Sequence, residues 1–377
     1  MTWLAAPALA SAAYWMLVLA AAWRWRRHAG SPVPLEAGLN EDPTPLPVSI
    51  LKPVYGRDPH FYEAIRSHAV QDYPAYEILF GVARAHDRAV EDIRRLIAEF
   101  PERRIRLVVT TTKMPNAKAG VLADLAAQAR YPLLLINDSD IRVPPDYLRQ
   151  VTARLNEPRA GLVTCLYRAQ SENLPGQWEA LGVATEFAPS VLVARMLGSV
   201  EFALGSTMLL RAADLARIGG FASIGDFLAD DYQLGRAIHA LGLGVVLSLP
   251  VVETHLGGET WREVWQHQLR WSRAIRVSRP AGYYGYLVTH AAFWSAIAIA
   301  SGAWRVGIAT LAVRMLAGIA VGWGVLRDPA ALGRALWIPF RDLWGFAIWV
   351  CGVFGHTVEW RGARMRLSSS GKILSDL

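Results

Sequence analysis

Hydrophobic residues along the chain form long uncharged runs near the two ends and shorter runs in between. Residues 1–23 contain no Asp, Glu, Lys or Arg, and about 20 apolar residues are enough to cross the roughly 30 Å hydrocarbon layer of a bilayer. Residues 280–304 also lack these charges, 306–326 carry a single arginine, and 343–358 form a shorter apolar run. The pattern predicts a transmembrane anchor over 1–23 and two or three transmembrane segments within 280–358.

The orientation of the anchor is indicated by the arginines that follow it, Arg24, Arg26 and Arg27. A cleaved signal peptide is the alternative interpretation, but it would have a charged start and a short apolar core. We therefore interpret residues 1–23 as a retained anchor. The positive-inside rule predicts that the chain from Arg24 onward is cytosolic.

Two features of the C-terminal region leave the number of spans open. Arg341 and Asp342 precede the fourth apolar run, and an ion pair is costly at membrane depth unless it is buried in protein. The run 343–358 therefore either spans the membrane or is re-entrant. The basic tail over 359–377 favours a cytosolic end, which four simple spans would not give.

The middle of the chain alternates short apolar runs with helical stretches. Continuous apolar runs are typical of strands that are buried on both faces of a sheet. These runs lie at 48–52, 76–82, 105–110, 133–137, 161–165 and 244–249. Stretches such as 87–100 and 117–130, rich in Ala, Leu and charged residues, fit crossover helices. The pattern predicts an α/β domain with a parallel sheet over 46–258, joined to the anchor by a proline-rich linker over 24–45.

Composition narrows the class of partner. Hydrophobic residues make up 53% of the chain and charged residues only 19%, which is apolar for a soluble enzyme. The net charge of +7 suits nucleic acid or anionic lipid, but the arginines flank apolar runs, which favours lipid headgroups and no nucleic acid. Cys165 and Cys351 lie far apart and form no CxxC pair, so neither a disulfide framework nor a zinc site is indicated.

The strongest candidate for chemistry is Asp138-Ser139-Asp140, which directly follows the apolar run 133–137. Ligands of parallel α/β sheets bind beyond the carboxyl ends of the strands. Two carboxylates one residue apart at such an end can share a hard divalent cation that bridges phosphates. Because Asp and Ser also commonly begin turns, a turn without a ligand is the alternative.

Two further positions have both a structural and a functional interpretation. Asp230 and Asp231 enter a predicted helix, where acidic residues either cap the N-terminus or act chemically. Lys118, two residues after Asn116, either faces a phosphate or is solvated. Neither position decides the function by itself.

The segment 259–279 predicts an amphipathic helix. Arg270, Arg273, Arg276 and Arg279 recur every third residue. The apolar face consists of Trp261, Val264, Trp265, Leu269 and Ile275. A helix packed on a soluble core is the alternative, but the uncharged run that follows favours a helix lying in the membrane interface.

The order of these features resembles the inverting glycosyltransferases of the GT-A fold, a Rossmann-like fold of nucleotide-diphospho-sugar transferases. The closer likeness is to the ceramide glucosyltransferases and their bacterial relatives, including the hopanoid-biosynthesis glycosyltransferases. It runs from about residue 46 to 370 and rests on VSILKPVYGRDP (48–59), QDYPAYEILFGV (71–82), NAKAGVL (116–122), NDSDIRV (137–143), GSTMLLRAADLARIGGF (205–221), ADDYQLGRAI (229–238), HQLRW (267–271), FRDLWGF (340–346) and WRGARMRL (360–367).

The resemblance implies roles for several of these residues. Asp138 and Asp140 would hold Mg²⁺ or Mn²⁺ on the diphosphate of a UDP-sugar. Asp231 would act as the general base that takes the proton of the acceptor hydroxyl. Arg270 and Trp271, in the HxxRW motif of the amphipathic helix, would close the active site where the donor meets the lipid.

Nucleotide contacts are implied with some departures from the family pattern. Lys52 and Lys118 are candidates for contacts with uridine or phosphate. The family has its first acidic site after the second strand, where this chain has Arg84 and the nearby Asp87 becomes the candidate. His267 opens the x-x-Arg-Trp motif, where Gln or Arg is usual.

The expected function is transfer of a sugar from a UDP-sugar to a hydroxyl of a membrane lipid, with inversion at the anomeric carbon. The resemblance favours the transfer of N-acetylglucosamine onto a hopanoid polyol (bacteriohopanetetrol), and the transfer of glucose onto ceramide is the alternative. A processive polysaccharide synthase would need more spans to line a polymer channel. A membrane receptor or scaffold that binds nucleotide-sugar without catalysis is the alternative from another functional class. The intact D-x-D pair, Asp231 and Arg270-Trp271 argue against it. The expected location is the bacterial inner membrane, multi-pass, with a cytosolic catalytic domain.

Overall fold

The computed structural model describes residues 3–29, 45–360 and 363–376. Most of the predicted linker over 24–45 lies outside these residues, as do parts of the predicted tail over 359–377. The strands are β1 (Val48–Val54), β2 (Tyr76–Val82), β3 (Arg104–Val109), β4 (Leu133–Ile136), β5 (Ile141–Arg142), β6 (Ala160–Gln170), β7 (Met208–Arg211), β8 (Gly244–His255), β9 (Thr357–Trp360), β10 (Ala363–Leu367) and β11 (Ile373–Asp376). The helices are α1 (Ala6–Ala29), α2 (Phe61–Ala69), α3 (Val90–Glu99), α4 (Ala117–Gln128), α5 (Tyr147–Leu155), α6 (Leu174–Gly182), α7 (Ala188–Met196), α8 (Ala212–Arg217), α9 (Asp230–Ala240), α10 (Trp261–Ser278), α11 (Pro280–Gly285), α12 (Ala291–Ala300), α13 (Trp304–Gly322), α14 (Pro329–Gly333) and α15 (Ile338–Val353).

The described residues group into two compact units. The α/β unit lies within 32–167 and 200–255. The helical unit lies within 1–31, 168–199 and 256–377.

The α/β unit is built on a sheet with the strand order β3-β2-β1-β4-β7-β6-β8-β5. β1 is parallel to β2 and to β4, and β2 is parallel to β3, as the continuous apolar runs predicted. β7 is antiparallel to both β4 and β6, so the sheet is mixed. Successive residues are buried on opposite faces, with Ile50 and Leu135 in one core and Leu51 and Leu134 in the other. The predicted α/β fold class is confirmed, with antiparallel pairs at β7 and between β5 and β8 that the pattern did not indicate.

The helical unit takes in a segment that the sequence assigned to the catalytic domain over 46–258. Residues 168–199 form α6 and α7, which are joined by a π-helical turn over Val183–Phe187. α7 packs against α1 and α13. Most residues over 174–196, which form the two helices and the turn between them, are apolar, which favours burial among apolar helices over exposure at a soluble surface.

Three helices among the described residues are long and apolar enough to cross a membrane, Trp3–Arg27, Trp304–Gly322 and Ala335–Val353. The uncharged run 280–304, which reads as one span in the sequence, does not form one continuous helix. It is divided into α11, a 3-10 turn and α12, and α12 has ten residues. Ten helical residues rise about 15 Å, which is about half of the hydrocarbon thickness.

The fourth apolar run becomes a full-length helix because α15 begins before it, at Ile338. Arg341 and Asp342 are therefore inside the helix, and both are buried. They do not pair with each other among the described contacts. Asp342 Oδ1 lies 3.0 Å from Arg314 Nε of α13, and Arg341 Nη1 lies 3.2 Å from Glu186 Oε2 of the π-helical turn. Neighbouring residues of a helix point in different directions, so each charge meets a partner from another helix.

The amphipathic helix predicted over 259–279 corresponds to α10. A capping box formed by Thr260 and Glu263 lies at the N-terminus of this helix. Two of its arginines do not serve as free lipid-facing charges. Arg273 Nε donates to the carbonyl oxygen of Phe354 at 3.1 Å, and Arg276 donates to the carbonyl oxygen of Gly355. Both carbonyl groups lie just beyond the C-terminus of α15. Cations at a helix C-terminus are favourable because the last carbonyl groups lack partners within the helix. The chain that follows is a small antiparallel sheet in the order β11-β10-β9.

Candidate active site

The D-x-D segment begins where the buried strand β4 ends. Asn137 follows the strand, and its Nδ2 donates to the Ser206 carbonyl oxygen at 2.7 Å and to the Tyr147 hydroxyl at 3.0 Å. Ser139 Oγ donates to Asp58 Oδ2 at 2.8 Å. Buried hydrogen bonds therefore fix the course of the backbone through this segment.

Lys52 of β1 contacts the same segment from inside the core. It is fully buried, and its Nζ donates to the Asp138 carbonyl oxygen at 3.0 Å. Burial lowers the pKa of Lys52 to about 7, although the carboxylates of Asp140 and Asp138 oppose the shift. The contact that the structure gives Lys52 is with the D-x-D backbone, and its predicted contact with a nucleotide stays a prediction.

Lys118 lies among several carboxylates at the start of α4. The helix is capped by Asn116, whose Oδ1 accepts from the backbone N–H of Lys118 at 3.0 Å. Lys118 Nζ lies 2.7 Å from Asp138 Oδ1 and 3.4 Å from Asp230 Oδ2. Burial lowers the pKa of Lys118, but the neighbouring carboxylates outweigh burial and raise it above its ordinary value. Lys118 is therefore an ion-paired residue of the site and not a solvated one.

Asp231 lies in the first turn of α9, with both carboxylate oxygens held by backbone donors. Oδ2 accepts from the N–H of Gly205 at 3.0 Å, and Oδ1 accepts from the N–H of Tyr232 at 2.7 Å. Burial raises the pKa of Asp231 to about 6, Asp230 adds to the rise, and Lys118 opposes it. A carboxylate that titrates near neutral pH is suited to accept a proton from an acceptor group.

The backbone at Gly205 is where the predicted residues meet. A Cβ atom at this position would lie 3.4 Å from Asp231 Oδ2, 3.5 Å from Asp138 Oδ2 and 3.6 Å from Lys118 Nζ. These three side chains come from α9, from the end of β4 and from α4. We call Lys118, Asp138, Asp230 and Asp231 the carboxylate cluster. The structure thus brings together residues that the sequence separates by more than a hundred positions.

Asp140 makes contacts apart from the carboxylate cluster. Its Oδ2 accepts a hydrogen bond from the Thr254 hydroxyl, and burial followed by the charge of Asp138 raises its pKa to about 6. It lines a small cavity together with His60, Glu63 and His255, among others. Among the residues that the structure describes, no group of three or more His, Cys, Asp or Glu side chains is arranged to hold a metal ion.

Asp87 connects the loops that follow two neighbouring parallel strands. Its Oδ2 accepts from the N–H of Gly56, after β1, at 2.9 Å, and its Oδ1 accepts from the N–H of Ala89 at 2.9 Å. Gly56 has a φ of 71°, which favours glycine. Asp87 therefore lies at the carboxyl edge of the sheet, where ligands of such sheets bind.

Arg270 and Trp271 belong to the helical unit. The Arg270 guanidinium carbon lies 5.8 Å from the ring centroid of Trp360. The Trp271 ring lies 4.4 Å from that of His267, and His267 Nδ1 lies 2.5 Å from Glu179 Oε1. His267, which departs from the family pattern, thus contacts Glu179 within its own unit.

Three residues of the site were missed from the sequence. Thr254 and His255 lie at the end of β8, which was predicted to stop at residue 249. Beyond that point buried and half-buried residues alternate, whereas only continuous apolar runs were used to define strands. Gly205 carries no chemical group, and only its place in the motif GSTM could have marked it.

Curated proteins similar to this chain act on lipids, according to their names. Ceramide glucosyltransferase 1 of Caenorhabditis elegans is 29% identical over 210 residues, which is 55% of this chain and 45% of that protein. Beta-monoglucosyldiacylglycerol synthase of Synechocystis is 23% identical over 231 residues, 59% of this chain and 46% of that protein. The chain thus spans about half the length of the curated relatives it matches.

A solved structure with a similar fold is a mannosyltransferase from Pyrobaculum calidifontis in complex with GDP-Man and Mn²⁺. The TM-score is 0.53 at 22% identity, over 93% of this chain and 97% of that chain. This likeness supports the predicted GT-A type of α/β fold. The model of the family described as Glycosyl transferase family 21 matches residues 3–373, nearly the whole chain. The resemblance seen in the motifs is thereby confirmed, and the chain belongs to glycosyltransferase family 21.

Proposed function

We propose that this protein transfers a sugar from a UDP-sugar to a hydroxyl group of a membrane lipid, with inversion at the anomeric carbon. The observation that carries the proposal is the carboxylate cluster, in which Asp231, Asp138 and Lys118 surround the backbone of Gly205. Membership in family 21 and the names of the relatives support the reaction class.

Asp231 is the proposed general base. As the hydroxyl oxygen of the lipid attacks the anomeric carbon, the bond from that carbon to the UDP oxygen breaks and the hydroxyl proton moves to Asp231. The raised pKa, about 6, leaves this carboxylate ionised at neutral pH yet basic enough to take a proton. Hydrogen bonds from Gly205 and Tyr232 hold it in one orientation before the substrate arrives.

The side chains at the site fit a divalent cation that is shared with the substrate. Mg²⁺ is commonly held by one or two carboxylates together with water and substrate phosphates, so a third protein ligand is not required. Asp138 is 40% exposed and Asp140 lines a cavity, and both offer hard oxygen donors. We assign both as ligands of Mg²⁺ or Mn²⁺, which when bound would neutralise the charge of the departing UDP.

The remaining candidates have supporting roles in this proposal. Lys118 supplies a positive charge beside Asp138 and would contact the diphosphate, while Lys52 stabilises the D-x-D backbone. Asp87 is the candidate contact to the nucleotide at the edge of β1 and β2. Arg270 and Trp271 would close the site over the bound donor.

Two acceptors are proposed within the lipid class. The motifs resemble those of the hopanoid-associated group, which favours N-acetylglucosamine onto a hopanoid polyol such as bacteriohopanetetrol. The names of the relatives instead favour the transfer of glucose onto ceramide.

Incubating the full chain with a lipid extract and each labelled UDP-sugar, followed by mass spectrometry, tests the proposal directly. A glycolipid product supports it, and hydrolysis of the UDP-sugar without any lipid product contradicts it.

The proposed location is the bacterial inner membrane with the α/β unit in the cytosol, where UDP-sugars are made. Arg24 and Arg26 follow the anchor, which favours this orientation. A protease added to intact spheroplasts should leave residues 46–258 uncut. Cleavage within that range from outside would reverse the orientation.

A further inference from the structure

Gln268 of α10 is buried in the helical unit. The oxygen of its side-chain amide accepts two hydrogen bonds, whereas the nitrogen makes none among the described residues. It is 6% exposed, and its Oε1 accepts from Arg341 Nη2 at 3.1 Å and from Trp344 Nε1 at 2.8 Å. Because these two donors require an oxygen, the opposite atom must be the NH₂ group. Among the described residues this Nε2 has no hydrogen-bond partner.

Glu186 has the complementary property on the other side of Arg341. One carboxylate oxygen, Oε2, lies 3.2 Å from Arg341 Nη1, and the other, Oε1, is buried with no hydrogen-bond partner in the described part of the chain. Glu186 lies on the π-helical turn, and such turns are frequent at functional sites. An unpaired donor, Gln268 Nε2, and an unpaired acceptor, Glu186 Oε1, therefore flank the buried guanidinium group of Arg341, whose own Nε and Nη1 also make no hydrogen bond among the described residues.

Two glycines leave room for this arrangement. A Cβ atom at Gly182 would lie 2.2 Å from Arg341 Nη2, and a Cβ atom at Gly345 would lie 3.2 Å from Glu186 Oε2. At Gly182 the helix backbone thus approaches the ion pair more closely than any other residue type would allow, and at Gly345 a larger residue would make a tight contact. Leaving buried polar atoms unpaired costs about 1–3 kcal/mol each. A ligand that supplies the missing hydrogen bonds would therefore stabilise this cluster.

The chemistry of the cluster selects an uncharged ligand with hydroxyl groups. Glu186 and Arg341 together have no net charge, so neither a phosphate nor an ammonium group is favoured over the other. A hydroxyl group both donates and accepts, so the hydroxyl groups of one ligand can donate to Glu186 Oε1 and accept from Gln268 Nε2. On the same helix as Arg341, Phe340 is 65% exposed and Leu343 is 44% exposed, which suits a surface that faces lipid tails.

We propose that Glu186, Gln268 and Arg341 form a binding site for the uncharged, hydroxyl-bearing head of the lipid acceptor. The inference rests on the lipid acceptor of the proposed function and assigns its specificity to these residues. They bind and orient the head by hydrogen bonds and take no part in bond making.

The test measures lipid binding and needs no sugar transfer. The full chain in detergent is titrated with fluorescent ceramide and with fluorescent bacteriohopanetetrol, each beside its O-methylated analogue. We expect the wild-type protein to bind at least one hydroxylated lipid about tenfold more tightly than its methylated analogue, as a hydrogen bond to a charged group suggests. Gln268→Glu, which keeps Oε1 for its two donors but removes the NH₂ group, and Glu186→Gln should abolish this ratio.

The ratio within one variant separates recognition from folding, because a variant that is merely destabilised weakens both lipids alike. Ser11→Ala is the matched control, since it removes another buried, unpaired hydroxyl of the helical unit and should keep the ratio. No hydroxyl preference in the wild-type protein, or an unchanged preference in both variants, overturns the inference. Hydroxyl preference without any glycolipid product would keep this site and reject the proposed function.

Discussion

The two units each contain a buried set of charged residues, and the two sets differ in balance. In the α/β unit, the carboxylate cluster places one ammonium group, Lys118, among three carboxylates. In the helical unit, Arg314 pairs with Asp342 and Arg341 with Glu186, so positive and negative charges are equal in number. One set has an excess of negative charge, and the other is neutral.

The two sets differ in the free-energy cost of keeping each charge buried. Burial and like charges raise the pKa of Asp231 to about 6, so its ionised form is disfavoured in the folded protein. Arg314 is fully buried against Asp342 and the ring of Trp15, so its charge is matched where it lies. An unbalanced set is suited to gain a cation or a proton, whereas a balanced set holds helices together. This contrast favours catalysis at the carboxylate cluster and, for the pair of Arg314 and Asp342, packing between helices.

Removal of divalent cations should have the largest effect on the unbalanced set. The carboxylates and the diphosphate of the donor repel each other unless a cation lies between them. We expect turnover to fall to background in excess EDTA and to return with Mg²⁺ or Mn²⁺. The glycolipid product is the measurement, and full turnover in EDTA would reject Asp138 and Asp140 as metal ligands.

Breaking the balanced set should cost stability instead. Arg314→Met leaves Asp342 as an uncompensated buried charge, which typically destabilises a protein by about 3–5 kcal/mol. Denaturant titration of the detergent-solubilised protein measures the loss. Arg305→Met is the matched control, because Arg305 lies on the same helix but is exposed, and its effect should be within about 0.5 kcal/mol. Equal stability of the two variants would show that the buried pair is dispensable.

Neutralising Asp231 should increase the stability of the folded protein, whereas Arg314→Met should decrease it. Its folded pKa of about 6 lies above the ordinary 3.8, so its contribution to stability is full below about pH 4 and is lost as pH rises through 6. In EDTA at pH 7, Asp231→Asn should therefore stabilise the protein by about 1–3 kcal/mol relative to wild type. At pH 4 the gain should vanish. A gain that does not change with pH would mean that the charge of Asp231 is not what costs stability.

Most of the α/β unit and the acidic positions of the site could be predicted from the sequence, because their signals are local. The strand β4 and the D-x-D segment adjoin, so an apolar run and its polar end lie in one short stretch. The short antiparallel β7 and the end of β8 could not be predicted in the same way. β7 has an apolar run of only three residues, 208–210, and the end of β8 alternates buried with half-buried residues, so pairing with distant strands decides their structure.

The partners of buried charges were beyond the sequence. Arg341 and Asp342 are adjacent, which invited the idea of a pair, yet their partners Glu186 and Arg314 come from other helices. Helix direction separates neighbours and brings remote residues together. Lys118 illustrates the same limit, since nothing near it in the sequence indicates Asp138 or Asp230.

The central claim is that Asp231 is the general base of a sugar transfer, and the turnover of Asp231→Asn tests it most directly. Asparagine keeps the size of the side chain and an oxygen to accept the Gly205 hydrogen bond, but it loses the hydrogen bond from Tyr232 and has no basicity. We expect kcat to fall by at least about 10²-fold while the affinity for UDP stays nearly unchanged. Asp230→Asn, the neighbouring control, should be milder. Near-normal turnover in Asp231→Asn, or a larger loss in Asp230→Asn, would contradict the claim.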